Sequence, residues 1–311
     1  MNGYDLLRKL YRCLGEESTS AFLATDFSYD LLYDAVCTFL SRTGAYTSSQ
    51  TITSVDGTRT YNLDPKFNGL YMQSPSDNRF FITYTTSAGD KSNIYYKDYE
   101  SLYYNDNDYE VDIPSSFAII DSSVISNITG SATSTGSLSA TGSGTSVLTD
   151  SAADFSTVSE GDEVINYTDD SHGVVINVST TLTVAMLGGT NNFFTSDDVY
   201  CIVPQQRMAI YLDPEPDVSG DTFLVPYLAK PTKVYSAYQT YPIIDIYSQP
   251  IVEYAAFMYK YKDREPAFGD KWYQHFDVVC REASNSYRRI KNKTQFRVNM
   301  KKTGYKSGSY R

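Results

Sequence analysis

The chain of 311 residues is long enough for two or three domains, and its 41% hydrophobic and 20% charged residues are ordinary for a folded protein. Its four cysteines are scattered without a CxxC pair, which argues against a disulfide scaffold and favours reduced thiols. No stretch approaches the roughly 18 apolar residues of a membrane span, and residues 1–14 alternate charged with apolar side chains, unlike a signal peptide. We therefore expect a protein made in the cytoplasm without a membrane partner.

Positive charge is concentrated at the carboxy-terminal end. The net charge is −11, yet residues 288–311 hold nine basic residues and no acidic one, so residues 1–287 carry −20. The nine cations are Arg288, Arg289, Lys291, Lys293, Arg297, Lys301, Lys302, Lys306 and Arg311. This pattern predicts an arm that binds an acidic partner, either a protein surface, a neighbouring copy or, through interleaved aromatic residues, nucleic acid. A disordered solubilising tail is the alternative.

The first half of the chain changes from a helical to a strand period. Apolar residues at helical spacing predict helices over about residues 6–14 and 28–41, each followed by a glycine. Asp56-Gly57 then separates two alternating segments, which predicts a two-residue β-hairpin. Further short strands are predicted at residues 80–85, 93–97, 117–120, 147–148, 163–167, 173–178, 181–186, 199–203, 208–212 and 222–227. We expect the last two to form a hairpin around an acidic turn.

The carboxy-terminal part returns to a helical period. One helix is predicted to begin just after Pro250, and a longer apolar stripe follows it in steps of three and four. The predicted bundle core consists of Phe268, Trp272, Phe276, Val279, Ala283 and Tyr287. This stripe is wide enough to pack on another helix, and we expect its partner to be the second helix of the chain.

These elements predict an α+β fold, in which the helices of both termini form a bundle, with a β-sheet region and an inserted small β-barrel or sandwich. The predicted parts are a helical bundle of residues 1–45 and 242–290, a β region of 46–121 and 206–241, a Ser/Thr/Gly-rich linker of 122–146, an inserted β domain of 147–205 and a basic arm of 291–311.

Residues that carry catalytic or metal chemistry are few. His172 and His275 are the two histidines, and neither has a cysteine or histidine at metal-ligand spacing, so ordinary surface or half-buried roles are favoured. The acidic run 106–112 has alternate carboxylates but lacks the glycine and the terminal glutamate of a calcium loop. No phosphate-binding glycine loop is present in the sequence. We predict no catalytic, cofactor or metal site.

Two parts of the chain resemble structural proteins of tailed bacteriophages. The inserted domain resembles a recurrent phage β module through Asp150, Phe155, Gly161-Asp162, Val164, Asn166, Thr181-Leu182-Thr183, Tyr200 and Ile202. The frame around it, with TITSVDGTRTYNL, IYLDPEPDVSGDTFLVPYLAKP and YPIIDIYSQPIVEYAAFMYKYKDRE, resembles the head-to-tail adaptor family that includes the podovirus tail tubular protein A. The Tyr-rich stretch 95–109 and the lysine-rich tail lie outside this resemblance.

The resemblance implies a non-enzymatic virion protein at the head–tail interface. Such proteins form a ring, commonly of twelve copies, that docks on the portal protein through a carboxy-terminal extension and joins it to tail nozzle or tube proteins. Genomic DNA would pass through the lumen without specific binding, since an acidic body repels phosphates. Two alternatives stay open: another virion part, such as a tail-nozzle, capsid-auxiliary or host-adhesion protein, and a carbohydrate-active enzyme that uses its abundant acids.

Overall fold

The computed structural model describes residues 1–16, 24–71, 80–103, 113–133, 145–237, 239–262 and 269–286. The helices in these ranges are α1 (Gly3–Leu14), α2 (Thr25–Thr43), α3 (Tyr99–Tyr103), α4 (Ser248–Lys262) and α5 (269–286), with a 3-10 turn at Asp245–Tyr247. The strands are β1 (Thr47–Thr53), β2 (Thr60–Asn62), β3 (Phe67–Leu70), β4 (Phe81–Thr85), β5 (Lys91–Tyr96), β6 (Ser116–Asp121), β7 (Ile128–Ser131), β8 (Thr145–Leu148), β9 (Glu163–Asn166), β10 (Ser171–Val178), β11 (Leu182–Gly188), β12 (Val199–Val203), β13 (Met208–Asp213) and β14 (Thr222–Ala229).

One sheet of eight strands curls until its two edges nearly meet. Its order is β1-β14-β4-β5-β6-β13-β2, with β3 also paired to β14, and its described pairings are antiparallel except β5 with β6. The edges β1 and β2 are bridged by Gln50, whose side chain accepts a hydrogen bond from the Asp64 amide (2.8 Å) and donates one to the Asn62 carbonyl (3.3 Å). Alternating apolar residues, among them Tyr84 and Phe223, fill the interior.

A second sheet of six strands forms another near-barrel. Its order is β7-β12-β9-β10-β11-β8, and the chain next to its two edges is joined where the Thr133 amide donates to the Thr149 carbonyl at 2.7 Å. The interior is apolar and includes Leu182 and Phe194, neither of which is exposed. Tyr200 brings one polar group inside, and its hydroxyl donates to Asp150 at 2.8 Å, which satisfies the hydroxyl.

Four helices form a layer that packs on the six-stranded sheet. Helix α1 ends at Gly15, whose φ of 72° is the left-handed conformation that suits glycine at a helix end. The predicted contact between α2 and the last helix is found, because Phe39 and Phe276 have ring centroids 6.4 Å apart. Val174 of β10 and Ala185 of β11 are buried in the same apolar core as the helices. No helix in the described ranges is both long and apolar enough to cross a bilayer.

The predicted fold class, an α+β fold built around a helical bundle, is wrong. The described chain is mostly β, with 14 strands in two large curled sheets. Each sheet encloses an apolar core of its own, so the helical layer is one of three packed units and not the frame around which the strands are arranged. The helical stripes dominate the sequence pattern because they are long, whereas strands of three to eight residues each leave a weak signal.

Both predicted hairpins are also wrong. The strands on either side of Asp56-Gly57 do not pair with each other, since β1 pairs with β14 and β2 with β13. The Gly57 amide instead donates to the Pro216 carbonyl and the Ser54 amide to the Asp221 carbonyl, so these two loops bind each other. In the same way β13 pairs with β2 and β6 and does not pair with β14. Long-range pairing within the curled sheet outweighs the local turn signal.

The strands of the two sheets come from different stretches of the chain. Strand β7 lies within the range 122–146, and it pairs with β12 in the six-stranded sheet. The eight-stranded sheet draws its strands from both sides of that sheet in the sequence, from residues 47–121 and 208–229.

Candidate functional site

The predicted docking arm follows α5 in the sequence. Its nine cations, at residues 288–311, lie outside the described residues. Its attachment point is described, because α5 extends to residue 286 and packs into the helical layer.

Four of the six predicted bundle-core residues lie in the described part of α5, and all four face the helical core. Phe276 and Ala283 are buried in the helical core, and Trp272 and Val279 are partly buried against it. Phe268 and Tyr287 lie outside the described residues.

Phe276 is the centre of an aromatic and cationic cluster. Its ring stacks on Tyr254 of α4 with centroids 4.2 Å apart. The guanidinium of Arg42, at the end of α2, lies 5.7 Å from the Phe276 centroid and forms an ion pair with Asp277 at 3.2 Å. Cys280, which the predicted stripe did not include, is also buried in this core. Helix α5 is thus held by two other helices close to the start of the arm.

A second polar region, the acidic seam, lies between α2 and the six-stranded sheet. We define it by Asp26, Asp30 and Asp34, spaced by four on α2, and Glu163 at the start of β9. Lys233, from the segment between β14 and α4, lies 2.5 Å from Glu163 and 3.5 Å from Asp30. The seam therefore joins three parts of the chain and keeps an excess of negative charge.

Aromatic and imidazole groups complete the acidic seam. The Tyr235 hydroxyl donates to Asp30 at 2.7 Å. His172 lies 3.7 Å from the carboxylate of Asp26, and its ring meets Tyr235 edge to face. The other histidine, His275, contacts Glu253 on α4 and is half exposed. Both histidines therefore pair with carboxylates at the surface.

The pKa values of Asp34 and Lys233 in the acidic seam are both raised, but by different causes. Burial, and then the neighbouring Asp30, raise the pKa of Asp34 above its usual 3.8. Burial lowers the pKa of Lys233, but the hydrogen bond to Glu163 and the nearby Asp30 outweigh it, so the pKa is raised overall. Lys233 therefore stays protonated and links the strand to the helix.

The described residues offer little for covalent or metal chemistry. Burial raises the pKa of Cys13, Cys37 and Cys280 to about 11, so these thiols are protonated and weakly nucleophilic at neutral pH. Within the described ranges, no group of three or more His, Cys, Asp and Glu residues could hold a metal ion. The acidic run 106–112 lies outside these ranges.

Sequence reasoning missed the acidic seam although part of its signal was visible. Three aspartates spaced by four on a predicted helix share one face. Lys233 and Glu163, however, are brought there from distant parts of the chain, which only the tertiary fold reveals.

Comparison of the chain with protein-family models gives no match, and neither does comparison with curated proteins.

Proposed function

We propose that the chain is a non-enzymatic virion protein, a head-to-tail adaptor. Copies of the chain form a ring at the head–tail interface, and the resemblance implies twelve copies in that ring. The ring docks on the portal protein, joins it to tail nozzle or tube proteins and lets the genomic DNA pass through its lumen. The observation that carries this proposal is the charge segregation, with −20 on residues 1–287 and nine cations on residues 288–311.

The anchoring of α5 supports a docking role for the arm. A chain segment that becomes ordered on binding a partner loses conformational entropy, and charge-assisted hydrogen bonds must offset that loss. Force on such a segment is transmitted to the body only if its base is fixed. The stacking of Phe276 on Tyr254 and the ion pair of Arg42 with Asp277 fix the base of this arm.

The near-closure of both sheets supports repeated assembly. An open sheet edge presents unpaired amide and carbonyl groups that pair with other chains. In one sheet the Gln50 side chain bonds to the opposite edge, and in the other the Thr133–Thr149 hydrogen bond joins the chain beside the two edges, so each edge is partly occupied. A protein that gathers in many copies at one place benefits from such protection, because contacts are then restricted to side-chain surfaces.

The acid excess of the body supports passage of DNA. Like charges disfavour adhesion of a phosphate backbone, whereas a basic lumen would hold it. The acidic seam adds to this excess of negative charge, because its four carboxylates outnumber the one lysine, Lys233, that pairs with them.

Imaging tests the proposal directly. The purified full-length chain is mixed with the portal protein of the same virus and viewed by negative-stain electron microscopy. We expect closed rings stacked coaxially on the portal. Monomers beside bare portals would contradict the adaptor role, and turnover of glycans by the purified chain would support the enzyme alternative.

A further inference from the structure

Two buried aspartates lie close together at one end of the six-stranded sheet. Asp169, in the turn between β9 and β10, is 8% exposed, and Asp198, just before β12, is 3% exposed. The Nδ2 atom of Asn166, the last residue of β9, donates to both carboxylates, at 3.4 Å to Asp169 and 3.1 Å to Asp198. Because one amide nitrogen contacts both carboxylates, two like charges lie near each other with little water around them. We call Asp169 and Asp198 the aspartate pair.

No cation of the protein balances the aspartate pair. In the part of the chain that the structure describes, no Lys, Arg or His side chain forms an ion pair with either aspartate. The sequence explains this, since residues 98–206, which include all six strands of the sheet, contain no Lys or Arg. Asp170 and Asp197, next in sequence to the pair, are exposed and add to the negative potential. Buried charges in proteins are normally paired with an opposite charge or coordinate a metal ion.

A buried hydroxyl without a partner faces the same end of the barrel. Ser171, the first residue of β10, is 1% exposed, and its Oγ atom has no hydrogen-bond partner among the described residues. Ser171 lies opposite Asn166 in the pairing of β10 with β9, so both side chains are on the inward face of the sheet with Val164. A Cβ atom at Gly189 would lie 2.8 Å from the Ser171 Cβ and 2.3 Å from the Asp169 carbonyl oxygen, so Ser171 and Asp169 are close neighbours. A buried hydroxyl without a hydrogen bond is costly, and its oxygen is free to bind an ion.

Both carboxylates keep lone pairs that no hydrogen bond occupies. An ionised carboxylate offers about four lone-pair sites. Asp169 accepts one hydrogen bond on each oxygen, from Asn166 and from Asn191. Asp198 accepts two on Oδ2, from Asn166 and from the Thr195 amide, and none on Oδ1 from the described residues. The carboxylate oxygens and the neighbouring hydroxyl are hard oxygen donors, with no sulfur or imidazole among them, and such donors suit Ca²⁺.

We propose that the aspartate pair and the Ser171 hydroxyl bind one Ca²⁺ ion. Calcium takes about six to eight oxygen ligands in flexible geometry, whereas magnesium demands a near-ideal octahedron. Two carboxylates alone do not make such a site, so neutral oxygens of side chains, backbone and water complete the shell. The ion joins the turn between β9 and β10 to the loop before β12. It thereby stabilises one end of the near-barrel, whether or not the chain docks on a portal.

Calcium titration of the full-length protein tests this site. After treatment with EGTA, the protein is titrated with calcium chloride in a calorimeter, and its melting temperature is measured in calcium, in magnesium and in EGTA. We expect one ion per chain and a melting temperature that rises with the calcium concentration, because a ligand of the folded state stabilises it. Absence of binding at millimolar calcium would overturn the proposal. An equal rise in magnesium would overturn the assignment to calcium.

Two neighbouring aspartates provide matched variants, one buried and one exposed. Asp198→Asn is expected to weaken calcium binding at least about tenfold. It is also expected to raise the melting temperature in EGTA, because it removes the repulsion between two buried carboxylates. Asp197→Asn, at the exposed position, is expected to leave the calcium affinity unchanged. Equal losses of affinity in the two variants would indicate a diffuse effect of charge and refute the site.

Ser171→Ala tests the site without changing a carboxylate, and it decides the matter if Asp198→Asn does not fold. We expect weaker calcium binding and no fall of the melting temperature in EGTA, since the hydroxyl has no hydrogen bond to lose. Unchanged calcium affinity in either Ser171→Ala or a folded Asp198→Asn would place the ion elsewhere and refute the proposal.

Discussion

At the scale of single residues, two aspartates of α2 have opposite roles although they are one helical turn apart. Asp30 accepts a hydrogen bond from Tyr235 and pairs with Lys233, so its negative charge has a donor and a cation beside it. Asp34 is partly desolvated beside Asp30, and both effects raise its pKa. Negative charge in the acidic seam is therefore stabilising at one position and costly at the next.

This difference predicts opposite effects of two neutralising substitutions. The raised pKa means that folded Asp34 binds more protons than unfolded Asp34 in the window just above 3.8, so its contribution to stability falls as the pH rises through that window. Asp34→Asn is therefore expected to raise the melting temperature at pH 7 and to have no effect near pH 3. The gain is less than about 1 kcal/mol because the Asp34 side chain is only partly desolvated and water still screens its charge.

Asp30→Asn is the matched control for Asp34→Asn. It removes the charge that faces Lys233. We expect the free energy of unfolding at pH 7 to fall by about 0.2–1 kcal/mol, and the melting temperature to fall with it. Thermal denaturation of the three proteins at both pH values checks the pair. Effects of the same sign at pH 7 would contradict this description of the acidic seam.

At the scale of elements, α5 is a helix with one buried face and one solvent-exposed face. Phe276 is fully buried against α2 and α4, whereas Val278, two residues on, is 49% exposed. The helix therefore depends on the helical layer for its stability, as most helices of this length do.

Truncation of the buried face should destabilise the protein much more than truncation of the exposed face. Phe276→Ala is expected to lower the free energy of unfolding by about 3–5 kcal/mol, because it leaves a cavity between three helices. Val278→Ala on the same helix is expected to change it by less than about 0.5 kcal/mol. Urea denaturation measures both values. Equal losses would mean that α5 does not pack as described.

Sequence reasoning was more successful for helices than for strand pairing. A helix is stabilised by neighbours three and four residues away, so the apolar period and Gly15 were enough to locate α1. Strand pairing depends on partners far along the chain, and Asp56-Gly57 gave a local signal that the curled sheet overrode. The acidic seam was missed for the same reason, since Lys233 reaches Glu163 only through the tertiary fold.

At the scale of the whole molecule, the two near-barrels and the helical layer explain why the fold class was mispredicted. The helices account for the most regular patterns in the sequence, but the sheets enclose two of the three apolar cores. Composition alone did reveal the division of charge between residues 1–287 and 288–311, because charge can be counted without a fold. The proposed function rests on that division.

Binding of the arm to the portal is the measurement that tests the proposed function most directly. The affinity of the full-length chain for the purified portal is compared with that of a variant in which the nine cations of residues 288–311 are replaced by glutamine. A second variant lacks residues 295–311. We expect both variants to keep the melting temperature of the unchanged protein and to bind at least about tenfold more weakly, since one lost charge-assisted hydrogen bond is worth about 1.5–3 kcal/mol. Unchanged portal affinity in the glutamine variant would contradict the account.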